Sequence, residues 1–340
     1  MDYSHLARMT CDHGIIQFAP YGEPDPGSGC TTDDNARAFL VALGMEGPER
    51  EKYAQHYCDV LYKAWKKGEG WSNWWLPGRG YIPDLDSEDS LGRAFWASCM
   101  GTVADLPGVS EACREMAFDS LTIMEGLSYP RSKAYALIGC AALISSPSVQ
   151  DQRIVNIIGQ CVDQLTSLYR RNNSAGWRWF EDSMTYCNAV LPQALFTYCR
   201  ARIDRQVQGM ARDTLLFLGD NVLARGYFNP VGNRGWWPKG KPMPLFDQQP
   251  VEGCSMIMAC REAFIVTGQK DFRDMAQMAL AWYQGKNVHN LTLYDPETGG
   301  CYDGLTPTGL NQNQGGEALI SLLLANQIMN GEPFVNHSLS

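Results

Sequence analysis

The chain has 340 residues, and its 28 basic and 37 acidic side chains give a formal net charge of −9. Because 45% of the residues are hydrophobic, the chain can build a large core, which excludes intrinsic disorder, and the acidic balance argues against nucleic acid or an anionic membrane as a partner. The sequence has no apolar run of about 18 residues and no apolar signal-peptide centre near its start, so we expect a cytoplasmic protein that does not cross a membrane.

Hydrophobic periodicity predicts helices along almost the whole chain and few strands. We expect Pro192 to kink the seventh of these helices, because proline lacks an amide hydrogen. In chain order, the predicted helices begin near Thr32, Pro48, Ser87, Ser110, Pro130, Val149, Glu181, Arg205, Pro250, Lys270 and Gln314.

The predicted helices alternate in character along the chain. Helices that are apolar nearly all round are followed by amphipathic ones, which predicts alternating inner and outer helices. Repeats of roughly 50 residues indicate a helical array, and six inner helices close a ring. We therefore predict an all-α (α/α)6 toroid, a six-hairpin glycosidase-like barrel, that forms a single domain over residues 1–340. The inner helices are predicted to start near Asp33, Asp89, Arg131, Asp182, Val251 and Gly315.

The twelve cysteines and five histidines are scattered along the chain. They form no CxxC pair and no cluster with the spacing of zinc ligands. This pattern predicts small buried thiols in a reducing compartment rather than a disulfide framework. It also predicts no metal site, and nothing in the sequence calls for a cofactor.

Four long connections, at residues 68–89, 172–186, 225–253 and 287–317, are rich in glycine and aromatic residues. Each precedes a predicted inner helix, so we expect all four to emerge at one rim of the ring. Long loops in a compact domain are usually functional. Aromatic rings can stack on the C–H faces of sugars while polar groups bind hydroxyls, which predicts an oligosaccharide substrate. The predicted substrate-binding residues are Trp74, Trp75, Arg93, Trp179, Tyr186, Trp236, Trp237, Gln249, Asp303, Asn313 and Glu317.

The acids of this rim suggest glycoside hydrolysis, which uses one carboxyl as a proton donor and another as a base or nucleophile. We favour Asp34 and Asp89 as the catalytic carboxylates, followed by Asp182 and Glu252. Because acids in a first helical turn also stabilise the helix dipole, capping is the alternative role of each one.

Other functions stay open. A non-catalytic carbohydrate-binding or accessory module that serves a glycosyltransferase would carry the same aromatic residues without a carboxylate pair. A sugar epimerase of this architecture would be expected to carry histidines on inner helices, and the predicted inner helices have none. A polysaccharide lyase would need a Tyr, Arg or His to abstract a proton beside a uronate, and Tyr186, Arg93 and Arg131 are candidates for this role.

Several segments resemble a known family. DHGIIQFA, GCTTDDNARAFLVAL, DQQPVEGCSMIMACREAFIVTG, LYDPETGGCYDGL and NQNQGGEALISLLLA are similar to a group of bacterial (α/α)6-toroid proteins, which occur alone or fused behind family-4 glycosyltransferase domains. More distantly, at the level of fold, the chain resembles six-hairpin glycosidases. The resemblance implies a carbohydrate-active toroid that acts on mannose-containing or similar oligosaccharides. The family usually reads Gly-Ala-Glu-Ser where this chain has Gly315-Gly316-Glu317-Ala318, so Glu317 is kept.

Overall fold

The computed structural model describes residues 1–146 and 149–331. The chain divides into two compact units. The N-terminal unit comprises Leu6–Ala19 and Glu23–Gln164, and the C-terminal unit comprises Met1–His5, Pro20–Gly22 and residues 165–331. A single domain over the whole chain stays a prediction.

Helices dominate both units. In chain order they are α1 (Ser4–Met9), α2 (Thr32–Leu43), α3 (Gly47–Ala64), α4 (Glu88–Thr102), α5 (Pro107–Asp119), α6 (Leu121–Glu125), α7 (Pro130–Ile144), α8 (Gln152–Asn172), α9 (Val190–Ala201), α10 (Arg205–Val222), α11 (Pro250–Thr267), α12 (Lys270–Tyr283) and α13 (Gly316–Asn330). A 3-10 helix covers Pro83–Leu85. No helix within the described residues combines the length and apolar character needed to cross a bilayer.

The strands are short. They are β1 (Thr10–Cys11), β2 (Gly14–Phe18), β3 (Asp25–Thr31), β4 (Trp65–Lys66), β5 (Gly70–Trp71), β6 (Trp74–Leu76), β7 (Gly80–Ile82), β8 (Ser183–Met184), β9 (Trp237–Pro238), β10 (Tyr294–Asp295), β11 (Gly300–Cys301), β12 (Leu305–Thr306) and β13 (Gly309–Leu310).

The N-terminal unit is built on three helices that are buried on nearly all sides, α2, α4 and α7. Helix α4 lies between the other two and contacts both. The amphipathic helices α3 and α5 cover α2 and α4 and contact each other. Small residues let the buried helices approach closely, and Gly92 of α4 faces the backbone of Ser132 in α7. The alternation of apolar and amphipathic helices in the sequence therefore corresponds to alternating inner and outer helices in this unit.

The C-terminal unit repeats the arrangement with α9, α11 and α13 as its buried helices. Helix α11 contacts both of the others, while α10 packs on α9 and α12 packs on α11. Eleven of the twelve cysteines in the chain are buried, as predicted, and Cys11 is half-buried. Five of the cysteines lie on the buried helices α4, α7, α9 and α11 of the two units, where a small thiol fills limited space.

A five-stranded antiparallel sheet in the N-terminal unit is the main feature that the sequence did not predict. Its strand order is β1-β2-β3-β6-β7, with Thr31 paired to Trp74 and Cys30 to Trp75. The strands hold two to seven residues, and β3 reads DPGSGCT, so no period-2 apolar pattern could be seen. Glycine is required in β3 because a Cβ on Gly29, at φ +74°, would lie 2.1 Å from the carbonyl oxygen of Trp75.

The predicted start of the seventh helix near Glu181 or Asp182 was wrong. Helix α9 begins at Val190, and the preceding Ser183–Met184 form β8, which pairs with β9. Glu-Asp-Ser resembles a helix start, but here it enters a short strand. Pro192 lies in the first turn of α9, where its missing N–H breaks no helical hydrogen bond, so the reason for the predicted kink does not apply. Helix α5 begins at Pro107 instead of after Ser110.

The close contact between α4 and α7 predicts opposite effects for two glycine substitutions. A Cβ on Gly92 would lie 2.8 Å from the backbone oxygen of Ser132, so we expect Gly92→Ala to destabilise the fold by about 1–3 kcal/mol. Gly159 lies on α8 with no atom within 4 Å of an added Cβ, so Gly159→Ala should stabilise it by about 0.5–1 kcal/mol. Urea unfolding followed by circular dichroism measures both. Equal effects of the two substitutions would contradict the packing argument.

Candidate functional site

The start of α2 is held in place by the TTDDNARA segment. Thr31 is the N-cap, and its hydroxyl accepts from the amide of Asp34 at 3.1 Å and donates to the Asp34 carboxylate at 2.9 Å. Thr32 donates its hydroxyl to the carbonyl of Ser72 at 2.6 Å, which ties α2 to the connection before β6. Asn35 accepts from the amide of Ile15 at 2.9 Å. The segment therefore joins the first turn of α2 to its surroundings in the N-terminal unit.

Asp33 is the centre of a buried charge cluster, which we call the Asp33 cluster (Asp33, Asp34, Arg37, Arg93 and Tyr135). Nη1 of Arg93 donates to both Asp33 oxygens, at 2.6 and 2.5 Å, and Nη2 of Arg37 donates to Oδ2 at 2.5 Å. Arg37 also lies 3.0 Å from the Asp34 carboxylate. Arg93 further donates to the Tyr135 hydroxyl at 2.7 Å. The cluster thus links α2, α4 and α7.

The two arginines keep Asp33 ionised. Burial by itself would raise the pKa of this carboxyl, but the charges and hydrogen bonds of Arg37 and Arg93 outweigh it and lower the pKa to about 2. A carboxylate with this pKa cannot donate a proton near neutral pH. It can serve as a fixed negative charge or as an acceptor.

The two catalytic residues favoured from the sequence lie at the starts of α2 and α4. Asp34 is buried and is engaged by Thr31 and Arg37. Asp89 is half-buried in the first turn of α4, next to Glu88, whose carboxylate accepts from the amides of Ser128 and Tyr129 at 2.7 and 2.9 Å. A catalytic role for Asp34 or Asp89 stays a prediction.

The predicted sugar-binding residues Trp74 and Trp75 lie on β6, and both are half-buried. Trp74 donates its indole N–H to the carbonyl of Ser28 at 3.0 Å. Trp75 stacks on the exposed ring of His13, with centroids 3.5 Å apart and planes 13° apart. One face of Trp75 is therefore covered by an imidazole. The sequence offered no signal for this contact, because 62 residues and two strands separate the partners.

In the C-terminal unit, Glu252 anchors the loop before α9. Its buried carboxylate accepts from the amide of Cys187, and also from the amide and the side chain of Asn188 at 3.4 Å each. Glu252 lies in the first turn of α11, so this carboxylate connects the starts of two helices. Asp182 is exposed, and its backbone carbonyl accepts from the amide of Lys239 at 2.8 Å. Catalysis by either acid stays a prediction.

Tyr186, in the loop before α9, forms an accessible aromatic pair with Trp236, which directly precedes β9. The Tyr186 ring lies 6.1 Å from the Trp236 ring between centroids, at 50°, and Tyr186 is 38% exposed. Trp236 is half-buried and takes a positive φ of 49°. The pair therefore presents aromatic surface to solvent beside the segment that Glu252 anchors.

Two other predicted sugar-binding tryptophans belong to the core. Trp179 is fully buried and packs edge-on against Phe180, with centroids 5.3 Å apart. Trp237 is 8% exposed and packs against Trp177 and Phe217, with centroids 5.1 and 6.3 Å away. In this structure neither ring presents a face on which a sugar could stack. Large aromatic residues in the long connections complete the apolar interior here.

Three predicted binding residues meet at the start of α13, in what we call the Asp303 cluster (Asp303, Asn313, Gly315 and Glu317). Asp303 accepts from Nδ2 of Asn313 at 2.5 Å and from the amide of Gly315 at 2.9 Å. The amide of Asp303 in turn donates to the carbonyl of Asn313 at 2.8 Å. Glu317 lies in the first turn of α13. The NQNQGGE segment is thus folded around one carboxyl.

Asp303 has the electrostatics of a proton donor. Burial raises the pKa of its carboxyl, and the negative charge of Glu317 raises it further, against the hydrogen bonds from Asn313 and Gly315 that lower it. This balance is the opposite of that at Asp33, where two cations prevail. Two interacting carboxyls of this kind are a recurring feature of acid–base sites.

Gln249 lies next to this cluster. It is the N-cap of α11, and the preceding Gln248 exchanges two backbone hydrogen bonds with Leu305, at 2.9 and 3.0 Å. The pairing is close because Gly304 has no side chain: a Cβ there would lie 1.9 Å from the carbonyl oxygen of Gln248. The connections before α11 and α13 are therefore joined within the C-terminal unit.

The electrostatics of the Asp33 cluster predict how stability depends on pH. We expect Asp33→Asn to destabilise the fold by about 3–5 kcal/mol at pH 7, because Arg37 and Arg93 lose a buried partner. The fold lowers the pKa of Asp33 to about 2, so the contribution of its charge is complete above the unfolded pKa of about 3.9 and is lost as pH falls through about 2.

The measurement is urea unfolding of wild type and variant between pH 7 and pH 2. The difference in the free energy of unfolding between wild type and Asp33→Asn should decrease by about 2 kcal/mol as the pH falls from about 5 to 2. Asp84→Asn, at an exposed position in the loop before α4, is the matched control and should produce no such narrowing. A pH-independent difference for Asp33→Asn would contradict the assignment.

Comparison with known proteins identifies the fold. No protein-family model matches the chain, and no curated protein matches its sequence significantly. Its structure is similar to that of a sugar epimerase from a ruminal bacterium, with a TM-score of 0.74 and 13% identity over 97% of this chain and 95% of that one. A cellobiose 2-epimerase from Bacillus thermoamylovorans gives a TM-score of 0.73 and 10% identity over 96% and 95%. A GH76 α-mannanase from Bacteroides thetaiotaomicron gives 0.59 and 11% over 87% and 84%.

At sequence identities of 10–13%, these structural similarities show the fold and not the activity of this chain. The chain has the (α/α)6-toroid fold, as the alternation of its helices predicted.

Proposed function

We propose that the protein is an enzyme that acts on an oligosaccharide, and specifically that it is a glycoside hydrolase. The observation that carries the proposal is the carboxyl pair of the Asp303 cluster. A carboxyl with a raised pKa keeps its proton to higher pH, which a general acid needs in order to protonate a glycosidic oxygen. The carbohydrate enzymes that share the fold support the substrate class.

In this proposal Asp303 donates its proton to the leaving oxygen as the glycosidic bond breaks. Glu317, on the first turn of α13, is the second carboxyl, which acts on water or on the anomeric carbon. We prefer this pair to three of the four acids favoured from the sequence for structural reasons, while catalysis by Asp89 stays a separate prediction. Asp34 and Glu252 are engaged in buried hydrogen bonds, and Asp182 lies outside any helix start.

The exposed aromatic pair of Tyr186 and Trp236 supplies a sugar-binding surface in the same unit. Its rings are tilted by 50°, so they form a corner rather than a flat stack. A pyranose ring can place its apolar face on one ring and its edge on the other. Trp75 is a second candidate surface, on the face that His13 leaves open.

A sugar epimerase or isomerase is the second candidate. It is favoured by the comparison, because the two structures named above with TM-scores of 0.74 and 0.73 carry epimerase names. Such chemistry removes a proton from a carbon beside a carbonyl and returns it to the opposite face. It needs a base of near-neutral pKa, for which histidine is the usual residue. In the part of the chain that the structure describes, no histidine lies on α2, α4, α7, α9, α11 or α13.

The first test separates the two chemistries. Purified protein is incubated in D2O with α- and β-linked manno-, gluco- and galacto-oligosaccharides, and the products are analysed by mass spectrometry. Hydrolysis should yield shorter chains with no deuterium bound to carbon. Products of unchanged length that carry deuterium on carbon would instead establish the epimerase or isomerase. Binding without any product would favour an accessory module.

The second test concerns the carboxyl pair. We expect Asp303→Asn and Glu317→Gln each to lower kcat at least 100-fold, the usual scale of acid–base catalysis. Glu297→Gln, at an exposed acid in the same long connection, is the matched control and should keep full activity. In wild type, activity should fall as pH rises through the raised pKa of Asp303, because the donor must be protonated. Undiminished turnover by Asp303→Asn would refute the assignment.

If the corner formed by Tyr186 and Trp236 binds sugar, removing one of its rings should lower the affinity for oligosaccharide. Trp236→Ala should weaken oligosaccharide binding about tenfold or more, since a stacking surface worth about 1.4 kcal/mol corresponds to a factor of ten. Tyr129→Ala removes another exposed aromatic ring, at the start of α7, and should leave affinity unchanged. Isothermal titration calorimetry measures both. Equal affinities of Trp236→Ala and wild type would exclude this corner as a subsite.

A further inference from the structure

The N-terminal unit contains two close pairs of thiols with different surroundings. Sγ of Cys11 lies 3.7 Å from Sγ of Cys30, and Sγ of Cys58 lies 3.7 Å from Sγ of Cys113. The distances are equal, but Cys11 is half-buried whereas Cys58 and Cys113 are fully buried. The two pairs therefore differ in solvent access and surroundings while the distance between their sulfur atoms is the same.

Cys11 lies where a thiolate is stabilised. The Cys30 thiol hydrogen-bonds to it, and the backbone amides of His13 and Gly14 do so as well. These donors lower the pKa of Cys11 to about 6, although burial and the nearby Asp12 charge act in the opposite direction. Cys11 is therefore the member of the pair that forms a thiolate more readily.

The hairpin that connects β1 to β2 creates this arrangement. Cys11 pairs with Gly14, and only Asp12 and His13 form the turn between them. Gly14 takes a φ of +104°, and a Cβ there would lie 1.9 Å from Oδ1 of Asn35. The tight turn thus brings two successive amides to one sulfur, and Gly14 cannot be replaced without moving them.

Cys30 has the properties of the second member of a reactive pair. The hydrogen bond to Cys11, together with burial and the charge of Cys11, raises the pKa of Cys30, so this sulfur stays a thiol. It lies on β3, and a short movement would bring the two sulfurs from 3.7 Å to the bonding distance of about 2.05 Å. In the comparison pair, the hydrogen bond with Cys58 and burial raise the pKa of Cys113.

We propose that Cys11 and Cys30 form a hydroperoxide-sensitive site, in which Cys11 is the oxidised sulfur and Cys30 resolves it to an intramolecular disulfide. A partly accessible thiolate beside a second thiol is the arrangement found in redox-sensing cysteines. The inference concerns the N-terminal unit alone, and it does not depend on the proposed glycosidase activity.

The reaction consumes one peroxide for each disulfide. The Cys11 thiolate attacks one oxygen of hydrogen peroxide and the O–O bond breaks, which yields a sulfenic acid on Cys11. The departing hydroxide takes a proton from the buffer and forms water. The Cys30 sulfur then attacks the Cys11 sulfur and the S–O bond breaks. The departing hydroxide takes the Cys30 proton and forms water. The two sulfurs lose two electrons in total, and the peroxide gains both.

Oxidation would act on a structurally important strand. Cys30 pairs with Trp75 across β3 and β6, and the next residue, Thr31, is the N-cap of α2. A bond from Cys30 to Cys11 draws this part of β3 towards β1. The disulfide is therefore expected to shift the start of α2 and the face of Trp75, which offers a tryptophan-fluorescence signal for the reaction.

The test treats the native chain with hydrogen peroxide at pH 7 and maps its thiols by mass spectrometry after rapid alkylation. We expect a Cys11–Cys30 disulfide that dithiothreitol reverses, while Cys58 and Cys113 stay reduced. In urea, where burial is lost, this difference between the pairs should disappear. Oxidation of both pairs at equal rates in the native chain, or of neither, would overturn the proposal.

Two variants test the separate roles assigned to Cys11 and Cys30. In Cys30→Ser the Cys11 sulfenic acid has no resolving thiol, so dimedone labelling of Cys11 should rise at least tenfold over wild type. In Cys11→Ser, Cys30 should remain unlabelled and reduced. Dimedone labelling of Cys30 in that variant would overturn the assignment of roles. The disulfide mapping on wild type decides the proposal even where a variant folds poorly.

Discussion

The N-terminal unit depends on one half-buried carboxylate between two buried arginines. Asp33 binds Arg37 on its own helix and Arg93 on the next, and Arg93 reaches Tyr135 on the third. Taking these charges out of water is costly, and the cost is offset only because each acceptor oxygen meets a guanidinium at hydrogen-bond distance. The cluster therefore sets which faces of α2, α4 and α7 meet, and the apolar packing of these helices follows from it.

Burial and neighbouring charges shift the pKa values of Asp33 and Asp303 in opposite directions. Both carboxyls are removed from water at a helix start, which raises their pKa. At Asp33 two cations reverse the effect, whereas at Asp303 the neighbouring Glu317 adds to it. One carboxyl is thereby suited to a structural charge and the other to proton donation. The role of an acid near a helix start therefore cannot be assigned until its partners are known.

The cysteines show a similar division. Most of them are small residues in the core, and burial raises the pKa of several of their thiols, which disfavours the reactive thiolate. Cys11 differs because the Cys30 thiol, and after it the backbone of the turn at His13 and Gly14, lower its pKa. These partners are brought together by the tertiary structure and form no cysteine motif, so sequence spacing did not reveal them.

The sequence by itself determined most of the helices and their alternation, because a 3.6-residue apolar period is a local pattern that can be recognised without knowledge of the tertiary contacts. It also brought the TTDDNARA and NQNQGGE segments to attention, and both fold around carboxyls. Only the tertiary structure decided the five-stranded sheet, whose short glycine-containing strands have no period of their own. It also moved Trp179 into the core and paired Asp303 with Glu317, since burial and a partner's charge depend on contacts that no local pattern encodes.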